Sequence, residues 1–297
     1  MERTVRMVVL AVLVIGLSIP VTLMAQDIGP VVSVDWLEQN LSNPKLVVVD
    51  IRKVEEYRSG HIPGAVNVFY NILAPSKGEL KNELPGDQDL RDTLGDAGIS
   101  ADSWVVVAGV NDTPADRFSM TRIAMTLAYA GVKNVAVLDG GTTLWAAKGK
   151  ALSTDVVRPK AVQFKGVFNK AFIVKKDELA QKLGKAVLVD VREPEYFSGA
   201  KKLDFVARAG HIKGAVNLPA ASLLFTPEGT YKPMDELKAL ALKAVGENKD
   251  AQIVVYCDTG KVASAWWMLL RAFGYMNVGL YDGSSQDWAA DPNLPME

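Results

Sequence analysis

The sequence predicts an α/β fold written twice in tandem, each copy a central, mostly parallel sheet flanked by helices. Three observations carry this. The chain has 297 residues, 49% of them hydrophobic, too many for one ordinary core and enough for two. Short valine-rich runs, apolar on both faces, recur along it as buried parallel strands require. Finally, four landmarks appear twice in the same order, which indicates two copies of one domain rather than a short solenoid repeat.

Asp50 and Arg52 in "VVVDIRKVEEY" return as Asp190 and Arg192 in "VLVDVREPEYF". "GHIPGAVN" returns as "GHIKGAVN", and these two stretches hold the only two histidines, His61 and His211. "WVVVAG" returns as "IVVYCD", and "VAVLDGGTTLW" as "VGLYDGSSQDW". The aspartates are 140 residues apart and the histidines 150, so the second copy holds ten extra residues, within "SGAKKLDFVARA".

The elements then follow in order. Residues 1–25 read as an export signal: Arg3 and Arg6, an uncharged apolar run from Met7 to Ala25, and a small residue before "QD". The alternative is an uncleaved membrane anchor, since such a run could just span a bilayer. Beyond it no run is long enough to span, so the exported chain is expected to have no stable membrane insertion and to be periplasmic or extracellular. Residues 31–148 form the first domain. It opens with a helix in "SVDWLEQNLS", capped by Ser33 or Asp35, and continues with strands in "KLVVVD", "GAVNV", "WVVVAG" and "VAVL". Residues 149–170, polar and without a clear period, are the linker. Residues 171–290 form the second domain. "DELAQKLG" is a helix stopped at Gly184, and strands lie in "AVLVD", "GAVNL", "IVVYC" and "VGLYD". "KVASAWWMLLRAFGY" is the longest amphipathic candidate, with Trp266 and Trp267 packing behind the loop that precedes it.

Composition excludes several functions. A net charge of −1 leaves no electrostatic footprint for nucleic acid. Two histidines and one cysteine are too few for a soft-metal site, so neither a metal nor a cofactor is expected.

The one cysteine, Cys257, ends the strand "IVVYC", where ligands of open α/β sheets bind. The turn "CDTGKVAS" is small, Gly260 is free to take a positive φ, and the amides of such a turn can surround an anion at a helix N-terminus. Lys261 adds a positive charge and Asp258 opposes it. These features predict a reactive thiol of lowered pKa, against the alternative of a small inert core residue.

These stretches together resemble the tandem-domain rhodaneses, the thiosulfate and 3-mercaptopyruvate sulfurtransferase family. The resemblance rests on "DIRKVEEYRSGHIPGAVN", "DVREPEYF" with "GHIKGAVNLP", the loop "CDTGKVAS", and the closing "DGG" and "DGS" stretches. It runs from about residue 31 to 290. It implies two rhodanese-like domains, the second catalytic, with Cys257 as nucleophile. The backbone of Asp258, Thr259, Gly260, Lys261 and Val262 would hold the sulfur. The phosphatase relatives end a longer loop on an arginine; here Val262 and Ala263 stand there, which favours sulfur over phosphate. The implied reaction takes a sulfane sulfur from a small anionic donor, thiosulfate or 3-mercaptopyruvate. A Cys257 persulfide then passes it to cyanide, a thiol or an acceptor protein.

The first copy has Gly109 where the second has Cys257, and so resembles the family's inactive half, a structural domain or one wall of the active cleft. Because His61 and His211, and the pairs Asp50–Arg52 and Asp190–Arg192, occur in both copies, they are expected to be structural. Arg208, in the ten-residue extension, matches an arginine that in several tandem rhodaneses binds the donor's anionic end. A solvated arginine is the alternative, and Lys201 and Lys202 could serve instead. Asp258 is expected to repel a dianionic donor. Two other functions remain open: a persulfide carrier that turns over slowly, and an interaction module with an inert Cys257.

Overall fold

A computed structural model describes residues 27–297, so the expected signal segment lies outside the described residues. The first domain runs β1 (Val31–Val32), α1 (Val34–Asn40), β2 (Leu46–Asp50), α2 (Val54–Ser59), β3 (Val66–Asn67), α3 (Tyr70–Leu73), α4 (Asp87–Asp96), β4 (Trp104–Ala108), α5 (Pro114–Ala130), β5 (Asn134–Leu138) and α6 (Gly141–Ala147). After a 3-10 turn at Lys170–Phe172, the second runs β6 (Ile173–Val174), α7 (Lys176–Lys182), β7 (Val187–Asp190), α8 (Pro194–Phe197), β8 (Val216–Asn217), α9 (Ala221–Leu224), α10 (Met234–Val245), β9 (Ile253–Tyr256), α11 (Ala263–Ala272), β10 (Val278–Tyr281) and α12 (Ser284–Trp288).

The two sheets have the same topology, β1-β5-β4-β2-β3 and β6-β10-β9-β7-β8, and every strand pair is parallel. Ser33 is the cap of α1, its Oγ accepting the Trp36 N–H at 3.1 Å. Asp35 instead pairs with Lys148 and Lys150.

Two expectations need correcting. Among the described residues α11, with 10 residues, is shorter than α10, with 12, and α5, with 17. Nor does α11 keep a solvated face over this stretch: every residue from Ala263 to Leu270 is buried. It lies on its own sheet and also packs against α5 of the first domain. This seam explains the burial. Alternate residues of β4 face opposite ways, so Val105 and Val107 join an apolar cluster that runs through both domains, while Val106 and Ala108 join one private to the first. The shared cluster includes Ile123 and Leu127 from α5, and Trp266 and Leu269 from α11. Among the described residues no helix is long and apolar enough to cross a membrane.

Candidate active site

Strand β9 ends at Tyr256, and Cys257 sits between it and α11 with 1% of its surface exposed. Gly260 takes the positive φ expected of it, +71°. A Cβ there would lie 2.7 Å from the Asp282 carbonyl oxygen, so the turn closes only over glycine. α11 has no side-chain cap at Val262. The backbone of Thr259, Val262 and Ala263 instead acts on the Cys257 thiol, each favouring its anionic form.

The closing motif holds this loop from below. Ser284 Oγ accepts the N–H of Cys257 at 3.2 Å and of Gly260 at 3.0 Å, and donates to the Tyr281 carbonyl at 2.8 Å. The amides of Ser285 and Gln286 bind the carbonyls of Cys257 and Asp258, each at 3.0 Å. Ser284 does this at φ +51°, a conformation that side chains other than glycine's rarely adopt.

The thiol pKa corrects the sequence reading. Burial pushes the Cys257 thiol up from its ordinary value and Asp258 adds to the rise; the three loop amides pull the other way without reversing it. Burial thus favours the thiol, and the loop amides favour an anionic sulfur. Asp258 also pairs with Arg192 Nη1 at 3.3 Å, while its charge still acts against an anion at the sulfur. Lys261 is half-buried, and burial lowers its pKa. Among the described residues no carboxylate lies within salt-bridge reach of it, and its ammonium sits 5.1 Å from the centre of the Tyr70 ring.

The repeated residues hold the fold in both copies alike. Arg52 pairs with Asp50 and donates to the Gly60 carbonyl; Arg192 pairs with Asp190 and donates to the Gly210 carbonyl. His61 stacks on Tyr57 and bonds the Tyr57 carbonyl through Nδ1 at 2.9 Å; His211 does the same with Phe197. Asn67 and Asn217, not singled out in the sequence, tie the two carbonyls of each Asp–Arg turn.

Arg208 is not brought to the cysteine loop. Its guanidinium donates to the carbonyls of Trp288, Ala289, Asp291 and Leu294, at 2.6–3.2 Å, and so ties down the C-terminal segment. Four backbone acceptors leave little of that fork for a donor's anionic end. The residues that sequence reasoning missed come instead from the first domain. Asn82 Nδ2 donates to Thr259 Oγ1 at 2.8 Å, and the Tyr70 hydroxyl donates to Asn82 Oδ1 at 2.7 Å. Arg122, fully buried in α5, forms an ion pair with Asp282. The first domain therefore walls the loop, but through residues that no motif marked.

The pattern of the rhodanese-like domain matches residues 33–148 and 175–291. A protein of Synechococcus elongatus named as a candidate thiosulfate sulfurtransferase is 33% identical over 293 residues, covering 95% of this chain and 89% of its own. A sulfur carrier protein of Thermus thermophilus is 30% identical, covering 89% of this chain and 95% of its own. The 3-mercaptopyruvate sulfurtransferase of Escherichia coli K12 is 29% identical, covering 90% and 97%. Among solved structures, an anaerobic ergothioneine biosynthesis enzyme of Chlorobium limicola, in complex with trimethyl histidine, superimposes with a TM-score of 0.79 at 26% identity, covering 90% of this chain and 70% of that one.

Proposed function

This chain belongs to the rhodanese family of sulfurtransferases, and we propose that it moves a sulfane sulfur from a small anionic donor to a thiophilic acceptor through a persulfide on Cys257. The observation that supports this most is the buried Cys257 between β9 and α11, where the backbone of Thr259, Val262 and Ala263 favours its anionic form. Neutral donors fixed in a dry turn stabilise an anionic sulfur without a counter-charge.

Cys257 first gives up its proton to water, a step that burial opposes. The thiolate attacks the outer sulfur of the donor. With thiosulfate the S–S bond breaks and sulfite leaves with the electron pair; with 3-mercaptopyruvate the C–S bond breaks and pyruvate leaves after gaining a proton. Either way the outer sulfur now carries the charge and lies among the amides of Thr259, Val262 and Ala263. Cyanide or a thiol then attacks that sulfur, the cysteine S–S bond breaks, and the thiolate returns. Lys261, held between the loop and Tyr70, is the cation we assign to the donor's anionic end. No cofactor enters this cycle.

The test is the intact mass of the protein after incubation with each donor. One added sulfur atom is expected, and none in a Cys257→Ser variant that melts at the wild-type temperature. An added sulfur that survives Cys257→Ser would refute the assignment. A persulfide that forms but drains slowly to cyanide would support the second reading, a sulfur carrier serving an acceptor protein. The similarity to a carrier of Thermus thermophilus favours keeping it.

The layout of residues 1–25 supports a further proposal, that the protein is exported. N-terminal sequencing of the exported form should begin near Gln26; full-length protein confined to the cytosol would refute export, and full-length protein in the membrane would favour the anchor.

A further inference from the structure

We infer that Arg122, on the domain without a cysteine, is a positioning residue for the Cys257 loop of the other domain and acts on it through Asp282. The inference rests on the reading of Cys257 as the sulfur-carrying thiol.

Both oxygens of the Asp282 carboxylate are held by the first domain. Oδ1 takes the Arg122 guanidinium, and Oδ2 takes the Leu84 N–H at 3.2 Å. Asp282 in turn is the floor on which Gly260 lies. A Cβ at Gly260 would meet the Asp282 carbonyl oxygen at 2.7 Å, its Oδ1 at 2.8 Å and Arg122 Nη1 at 3.2 Å. Two residues after Asp282, Ser284 binds the amides of Cys257 and Gly260 from its positive-φ conformation. Such a conformation persists only where its surroundings hold it. Here the hold is the clamp on Asp282, and most of that clamp is a buried arginine from the neighbouring domain.

The two copies supply a built-in control. Asp139 stands in the first domain where Asp282 stands in the second, and it takes the Tyr231 N–H at 2.9 Å much as Asp282 takes that of Leu84. The residue equivalent to Arg122 is Ala265. Asp139 therefore has the amide and not the cation. A buried guanidinium is costly to desolvate, and two of its nitrogens, Nε and Nη2, meet no acceptor among the described residues. The fold accepts that cost only on the side that carries the cysteine. A purely structural device would be expected on both.

The experiment compares Arg122→Gln, Arg122→Lys and Asp282→Asn in the full-length protein, by amide hydrogen exchange and by single-turnover persulfide formation. In Arg122→Gln, exchange at residues 257–263 should quicken about tenfold or more while the amides of β9 keep their protection. Persulfide formation should slow about tenfold with the donor KM changed less than about threefold. Arg122→Lys, which keeps the charge, should recover most of both. Unchanged loop exchange in Arg122→Gln, protection lost equally throughout both domains, or no recovery with lysine would each overturn the inference. If Arg122→Gln does not fold, Asp282→Asn, which keeps the side-chain shape, takes its place with the same expectations. The exchange result needs no sulfur donor, so an inert Cys257 would remove the kinetic effect and leave the exchange effect standing.

Discussion

Thr121 and Ser264 meet hydroxyl to hydroxyl at 2.8 Å, in the middle of the seam between α5 and α11. They are equivalent positions of the two copies, and matched contacts flank them, Leu84 N–H on Asp282 and Tyr231 N–H on Asp139. Each domain then covers the other's loop: Asn82 reaches Thr259, and Asn111 of the silent loop donates to the Gly229 carbonyl at 3.2 Å. Deleting residues 26–150 would expose the apolar face of α11 that now lies in the shared cluster. The isolated second domain should be poorly soluble or form persulfide far more slowly than the whole chain. Full activity from a monodisperse second domain would refute this.

Arg208→Ala should act on stability rather than on the donor. The wild-type guanidinium satisfies four carbonyls of the C-terminal segment. Their loss should cost about 2 kcal/mol, as removal of charged hydrogen bonds usually does. Denaturant titration measures this, and donor KM should stay within about twofold of wild type. A KM raised tenfold or more would return Arg208 to donor binding.

Glu83 supplies a pH dependence. Burial pushes its carboxyl up from 4.5 to about 7, with Asp282 adding to the rise, Arg122 and Lys77 opposing it, and Asp287 adding a smaller push. The folded protein therefore keeps a proton between those values that the unfolded chain has released. Stability falls as pH rises through that window, and the penalty is complete above it. Glu83→Gln removes the penalty, so its Tm should exceed wild type near pH 8 and converge with it below about pH 5. An equal Tm difference at both ends would show that the carboxyl titrates normally.

The doubled architecture and the loop around Cys257 were legible because they are local. Strand-end position, Gly260 and a following helix are adjacent in the chain. The seam was not legible. α11 looked partly solvated because much of its burial comes from α5, more than a hundred residues away in sequence. Arg122 did leave a signal, a lone arginine within "SMTRIAMTLAYA", where a charged residue must find a partner if buried. Only the fold names that partner as Asp282. The thiol pKa was misjudged because dipole and charge can be read from neighbours in sequence, whereas burial cannot.

The silent loop should stay silent when given a nucleophile. A Cβ at Gly109 would lie 3.0 Å from Ile51 Cγ1 and 3.4 Å from Met120 Cγ, so a cysteine side chain enters packed atoms rather than a cleft. The cradle is missing as well. α11 leaves its first amides to the sulfur, but α5 begins with Pro114, which has no N–H. A capping box binds the Asp116 amide through Thr113 Oγ1 and the Thr113 amide through Asp116 Oδ2. The Gly109 carbonyl is already bound by Thr142 through both its N–H and its hydroxyl, and Gly229 seals the loop from the second domain. Gly109→Cys in a Cys257→Ser background should therefore gain no sulfur from either donor by intact mass, and should unfold at lower denaturant than Cys257→Ser alone. A persulfide at the introduced cysteine would show that a strand-end thiol suffices, and that the amides around Cys257 are incidental to its chemistry.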